Sequence, residues 1–163
     1  MKKIIVISAV NVRSGGPLSI LRDLLNYLDT SLANSYRVIA LVHSKSIAPN
    51  IKNIHFIEFP KSASSYLYRL YYEYFYFYKL SKELNPYLWL SLHDMTARVN
   101  ATIQAVYCQN PSPFYKLTKK DFFLDKNFAL MNFLYKFIYQ INIQQNNFVI
   151  VQQNWMKDEF KKM

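Results

Sequence analysis

The chain has 163 residues, enough for one domain with a sizeable core, and 52% of them are apolar, which excludes a disordered chain. Its formal net charge of +10 suits a phosphorylated ligand, an anionic membrane surface or nucleic acid. Only five residues are arginine, the residue that makes most bidentate contacts to bases, so sequence-specific nucleic-acid binding is disfavoured.

Strands and helices are predicted to alternate along the first half of the chain. Ile4–Ile7 is a β-branched run, typical of a strand that is buried on both faces. After a loop over residues 11–16, Pro17 and leucines at helical spacing predict a helix over residues 17–29. Two more buried strands are predicted at residues 36–42 and 54–59.

The second half of the chain continues this alternation. An aromatic helix is predicted over residues 64–84, ended by Asn85-Pro86. A second apolar helix, mostly buried, is predicted over residues 127–145, and another helix from Trp155 onward. Further strands are predicted at residues 87–92, 102–107 and 148–151, with a short helical turn around residues 95–100 between the first two.

This order of elements predicts an α/β fold, a doubly wound and mostly parallel sheet of the Rossmann-like kind. No stretch reads as a membrane-spanning helix, because charges such as Arg69 and Glu73 interrupt the longest apolar runs. Cys108 is the single cysteine, which excludes an intrachain disulfide and a cysteine-based zinc site. We therefore expect a cytoplasmic protein.

Ligands of doubly wound sheets bind where the strand order reverses, outside the carboxyl ends of the strands. The loop over residues 11–16 lies there and opens into a helix, with Arg13, Ser14, Gly15 and Gly16 at its end. Free N–H groups and the positive end of the helix dipole predict phosphate binding, although a turn that binds nothing has the same pattern. The spacing of the glycines fits neither a dinucleotide fingerprint nor a P-loop.

Two more loops are predicted to face the same crevice. His93 and Asp94 follow the fourth strand and form a candidate catalytic pair for a substrate hydroxyl. An equally good interpretation is a structural histidine beside a helix-capping aspartate. After the fifth strand, the candidate acceptor-binding residues are Gln109, Asn110, Phe114 and Tyr115. Phe114 and Tyr115 offer an aromatic face for a sugar, or else fill the core.

Together these loops resemble the N-terminal domain of a group 1 (family 4) glycosyltransferase of the GT-B type. The resemblance rests on Ser14-Gly15-Gly16-Pro17, on Tyr107-Cys108-Gln109-Asn110-Pro111 and on Val149-Ile150-Val151-Gln152-Gln153 before a helix. It spans the whole chain and implies that residues 1–163 form the acceptor-side domain. The donor-nucleotide domain is then expected beyond residue 163.

The resemblance implies a retaining enzyme that moves a sugar from a nucleotide sugar to a glycan or lipid-linked acceptor, in cell-surface polysaccharide synthesis. It implies that Gly15 and Gly16 lie against the donor diphosphate, and that neither a cofactor nor a metal is required. Many members have histidine where this chain has Gln109, which can hydrogen-bond a sugar but cannot act as a base. The alternative is a non-catalytic Rossmann-like module that binds a nucleotide or an acidic partner.

The aromatic helix also suggests a membrane surface. Residues 66–79 carry more rings than one core-facing stripe can hide, and tyrosine suits a boundary between apolar and wet surroundings. Lysines cluster nearby in sequence and would favour an anionic leaflet: Lys116, Lys119, Lys120 and Lys126. The alternative is that the rings pack on the sheet and on the expected second domain.

Overall fold

The computed structural model describes residues 2–162, except for the side chains of Lys119, Phe122, Met131 and Lys136. It contains a six-stranded, all-parallel sheet in the order β3-β2-β1-β4-β5-β6. This is the order of a doubly wound Rossmann-like sheet, so the predicted fold class is confirmed. The strands are β1 (Lys3–Ala9), β2 (Tyr36–Val42), β3 (His55–Glu58), β4 (Leu88–Ser91), β5 (Ile103–Cys108) and β6 (Phe148–Val151).

Helices cover both faces of the sheet, and two of the predicted helices extend through π-helical turns. One such turn, Leu28–Leu32, follows the first helix, and another, Tyr72–Tyr76, joins the third to the fourth. None of the helices that the structure describes is long and apolar enough to cross a bilayer. The helices are α1 (Gly15–Tyr27), α2 (Pro60–Ser64), α3 (Tyr66–Tyr71), α4 (Phe77–Leu84), α5 (Lys119–Leu124), α6 (Lys126–Ile138) and α7 (Asn154–Phe160).

The central strands are apolar without alternation because each of them has a core on both sides. Ile5 and Ile7 pack with Leu21 of α1 in one core. Val6, the residue between them, packs with Phe77 of α4 and with other residues in the opposite core. Successive side chains of a strand point to opposite faces, so a strand between two cores needs apolar residues at every position.

The predicted helical turn around residues 95–100 is wrong, because this segment forms neither a helix nor a strand. The N–H of Arg98 donates to the carbonyl of Glu73, in the π-helical turn before α4, at 2.9 Å. The N–H of Asn100 donates to the Ser81 hydroxyl at 2.8 Å. These partners satisfy backbone groups that a helix would otherwise pair, so the crossover from β4 to β5 needs no helix.

The predicted apolar helix over residues 127–145 is also shorter and less buried than expected. It ends at Ile138, and Asn142 then adopts a left-handed conformation with φ 60°. Asn132, one of its few polar residues, is 6% exposed, whereas Phe133 and Phe137 are about half exposed. Helix α6 therefore turns apolar side chains outward, and the prediction of a mostly buried helix is wrong.

Candidate functional site

The crevice at the reversal of strand order holds a cavity of about 420 Å³. Strands β1 and β4 are neighbours, but the chain continues from them towards opposite edges of the sheet. The loops that follow β1 and β4 separate there and leave an opening, as the fold predicts. Three loops line it, as expected, together with residues of α3 and α6 and Tyr139, which follows α6: Asn11–Ser14, Pro17, Arg69, Leu92–Met95, Gln109, Asn110, Tyr135 and Tyr139.

The glycine loop, residues 11–16, leads into α1 beside this cavity, which Arg13, Ser14 and Pro17 line. Gly15 has φ +68°, a conformation that favours glycine, and a Cβ added at Gly16 would meet no atom within 4 Å. Ser14 precedes the helix without making a side-chain capping bond, and the first turn has no acidic residue. The positive end of the helix is thus left to an external anion or to water.

Two guanidinium groups add positive charge to the same cleft. Arg13 extends from the glycine loop and donates through Nη2 to the carbonyl of Ala63 in α2. Arg69 comes from α3 and donates through Nη2 to the carbonyl of His93 at 3.0 Å. The two groups come from different elements, Arg13 from the loop before α1 and Arg69 from α3.

His93 lines the cleft, but both nitrogens of its ring are already occupied. Nδ1 donates to the carbonyl of Ser8 at 3.2 Å, and Nε2 is hydrogen-bonded to Oε1 of the fully buried Glu73. Because Nδ1 must carry a hydrogen for the first bond, a second proton has to lie between Nε2 and Glu73. His93 therefore has no free nitrogen for a ligand and is positioned as a structural residue, the alternative left open by the sequence.

Asp94 lines the same cleft and anchors the neighbouring loop. Its backbone has φ 65°, which is uncommon outside glycine. Oδ1 accepts hydrogen bonds from the N–H groups of Gln109 and Asn110, at 2.6 and 3.0 Å. Burial, reinforced by the Asp94 carboxylate, raises the pKa of the nearby Tyr139 hydroxyl above its ordinary value. Asp94 thus caps the loop rather than a helix and still borders the cleft.

The four candidate acceptor-binding residues are divided between two places. Gln109 and Asn110 border the cleft, and the side chain of Asn110 accepts the N–H of Ser112 at 2.9 Å. The ring of Phe114 instead packs on Phe160, with 5.0 Å between ring centroids. Tyr115 contacts Phe128 of α6, and its hydroxyl donates to Asp121 at 3.2 Å. Phe114 and Tyr115 therefore border a separate groove.

Arg69, which lines the cleft, and Glu73, which holds His93, were not predicted from the sequence as residues of the site. In the sequence their charges only argued against a membrane-spanning helix, because they interrupt an apolar run. Both are buried, at 6% and 0% exposed, one turn apart in the aromatic helix. A charged side chain among aromatic residues of a helix needs a partner if it is buried. The position of Arg69 and Glu73 within the aromatic run is therefore the sequence signal that could have identified them.

The described residues contain no group of three or more His, Cys, Asp or Glu side chains placed to hold a metal ion. No family model, curated protein or solved structure shows a significant match to this chain. The chemistry of the cleft therefore has to be inferred from its own geometry.

Proposed function

We propose that this chain is the acceptor-side domain of a retaining glycosyltransferase, which moves a sugar from a nucleotide sugar to a glycan or lipid-linked acceptor in polysaccharide synthesis. The observation that carries the proposal is the convergence of three kinds of group on one cleft. These are the uncapped start of α1, two arginines, and a carboxylate next to two amide side chains. Such a cleft suits a ligand that is anionic at one end and rich in hydroxyl groups at the other.

The donor diphosphate would lie at the start of α1. The N–H groups of the first turn point out of the helix end, and Gly16 leaves room for close approach. Arg13 would add a charge-assisted bond, since it lies in the same loop and borders the cleft. Anion binding here needs neither a metal nor a cofactor.

The acceptor would lie nearer the loop after β5. Gln109 and Asn110 offer amide groups that can donate to and accept from sugar hydroxyls. Asp94 is the only carboxylate among the residues that line the cleft, and its Oδ1 is held by two backbone N–H groups. We assign to Asp94 the hydrogen bond to the reacting acceptor hydroxyl, and to His93 the task of positioning this loop.

A titration with nucleoside diphosphates tests the proposal. The ¹⁵N-labelled chain is titrated with UDP, GDP and ADP, and with the corresponding nucleosides as controls. We expect a diphosphate, and not its nucleoside, to shift the amide resonances of Ser14, Gly16 and Leu18. Unchanged resonances at millimolar concentrations of all three diphosphates would contradict a donor site in this domain.

A transfer assay separates this proposal from a module that only binds nucleotides. A cleft enzyme needs both of its walls, so we expect residues 1–163 alone to turn over no nucleotide sugar. If the chain is half of an enzyme, adding the proposed donor-nucleotide domain should give turnover. Turnover by the 163-residue chain alone would contradict the two-domain proposal.

We also propose that the protein is cytoplasmic and docks at the inner leaflet of an anionic membrane. Two surfaces support this proposal. The aromatic helix exposes Leu67, Tyr71 and Phe75, which follow one another at intervals of four residues. At the end of α5, Phe123 and Leu124 are 88% and 85% exposed. Exposed lysines flank this second surface in the chain: Lys116, Lys120 and Lys126.

A further inference from the structure

Arg69 is a buried cation on the wall of the cleft. Its side chain is 6% exposed, and Nη2 donates to the carbonyl of His93 at 3.0 Å. Nε has no hydrogen-bond partner in the part of the chain that the structure describes. A guanidinium buried to this extent is normally paired with an anion, because burial of an unpaired charge is costly.

The described residues do not supply that anion. No Asp or Glu oxygen among them lies within 4.0 Å of the Arg69 guanidinium. Glu73 is one turn further along the helix, but its Oε1 is hydrogen-bonded to His93, and its buried Oε2 makes no hydrogen bond to any described residue, Arg69 included. Asp94 also borders the cleft, yet its Oδ1 is occupied by the N–H groups of the next loop. Apart from the Tyr66 ring, whose centroid is 5.8 Å from Cζ, the charge of Arg69 is therefore left for a ligand.

The electrostatic balance of the cleft favours an anion at this point. The protons shared by His93 and Glu73 make that pair neutral as a unit, so two guanidinium groups face the single carboxylate of Asp94. The start of α1 adds a further partial positive charge. A phosphate group matches the fork of an arginine better than a single-point acceptor does.

We propose that Arg69 binds a phosphate group of the ligand, on the wall of the cleft that α3 forms. This deepens the proposed function, on which it rests for the identity of the rest of the ligand. The group is already oriented, because Arg69 is held by the His93 carbonyl, and the ring of His93 is fixed by Ser8 and Glu73. Such preorganisation lowers the entropy lost on binding.

The phosphate has two sources with the same chemistry. It is either the donor diphosphate, reaching across from the glycine loop, or a phosphate carried by the acceptor. A double-mutant cycle between Arg69→Gln and Gly16→Ala distinguishes them. With UDP as the probe, coupled effects indicate one diphosphate that contacts both sites. If the two effects are additive, and Arg69→Gln weakens the binding of inorganic phosphate alone, Arg69 binds a separate phosphate that the acceptor carries.

The test is a titration of the 163-residue chain with inorganic phosphate and with UDP, followed by NMR. We expect Arg69→Gln to weaken binding at least about tenfold, the usual loss for one charge-assisted hydrogen bond. Arg98→Gln is the matched control. It removes the same charge from an exposed arginine that stacks on Tyr78 away from the cleft, and should leave affinity unchanged.

The Nε–H resonance of Arg69 in the unaltered protein provides a second readout if Arg69→Gln does not fold. We expect phosphate to shift it. An unmoved Nε–H resonance, or equal affinity in Arg69→Gln and the unaltered protein, would overturn the proposal. If UDP leaves the amides of Gly16 and Leu18 unchanged while phosphate still shifts Arg69, the anion site stands and the donor site fails.

Discussion

Gly16 provides the sharpest test of the glycine loop at the scale of single residues. A Cβ at this position meets no protein atom within 4 Å, so Gly16→Ala should leave the free energy of unfolding nearly unchanged. Its methyl group would nevertheless occupy the space into which a diphosphate is proposed to fit. We expect weaker binding of UDP with an unaltered melting temperature, measured by NMR titration and thermal unfolding.

Gly15→Ala is the matched control for this prediction. With φ +68°, alanine at position 15 is strained, and we expect it to lower the free energy of unfolding by about 1 kcal/mol. The two substitutions thus separate a conformational requirement from close approach to a ligand. Equal affinity for UDP in Gly16→Ala and the unaltered protein would indicate that the loop is only a turn.

Cys108 gives a second prediction for a single residue. Its side chain is fully buried, and burial, followed by the nearby Asp94 carboxylate, raises the pKa of the thiol. The thiol therefore stays protonated at neutral pH, and the reactive thiolate is scarce. We expect an aromatic disulfide reagent to label the native protein far more slowly than the urea-unfolded chain. Rapid labelling of the native protein would contradict this environment.

At the scale of elements, the Glu73–His93 bond joins the aromatic helix to the end of β4. Removing one partner of a buried pair leaves the other without compensation, so Glu73→Ala should cost about 3 kcal/mol of unfolding free energy. Glu73→Gln should cost less, because an amide can still hydrogen-bond Nε2. Urea unfolding measures both.

Glu83→Ala is the control for this helix, because Glu83 is exposed on α4 and should change stability by less than about 0.5 kcal/mol. A cost of Glu73→Ala equal to that of Glu83→Ala would show that the buried bond does not connect the two elements. Because the carbonyl of His93 holds Arg69, loss of this bond should also broaden the Arg69 Nε–H resonance.

For the whole molecule, we predict binding to anionic vesicles in a co-sedimentation assay. Each lysine near an anionic leaflet contributes about 1 kcal/mol, so binding should require anionic lipid and decrease with salt. The double variant Phe123→Ser, Leu124→Ser should weaken it without unfolding the domain, because both side chains are almost fully exposed. A variant with Leu67→Ser and Phe75→Ser tests the aromatic helix in the same way.

Tyr27→Ser is the control for the membrane prediction, since Tyr27 is 57% exposed on α1, which covers the opposite face of the sheet. It should bind vesicles as the unaltered protein does. Absence of binding to anionic vesicles at low salt would exclude peripheral docking by this domain. The exposed rings would then be free to pack against another protein domain.

Local residue patterns were enough to predict the strands and their succession, and with them the fold class. A β-branched run such as Ile4–Ile7 is apolar at every position only if both faces are buried, and that property is local. The glycine pair before Pro17 likewise marked the start of α1, because its backbone requirement does not depend on distant residues. These signals also placed three loops at one end of the sheet.

Which side chains meet in the cleft depends on the tertiary structure. The sequence is equally compatible with a catalytic and a structural His93, and the bond from Glu73, twenty residues earlier in the chain, to its second nitrogen favours the structural role. Arg69 lines the cleft because α3 packs beside the point where the strand order reverses. Phe114 lies outside the cleft because its ring packs on Phe160. Hydrogen bonding and burial depend on neighbours in space, so runs and spacings along the chain cannot specify them.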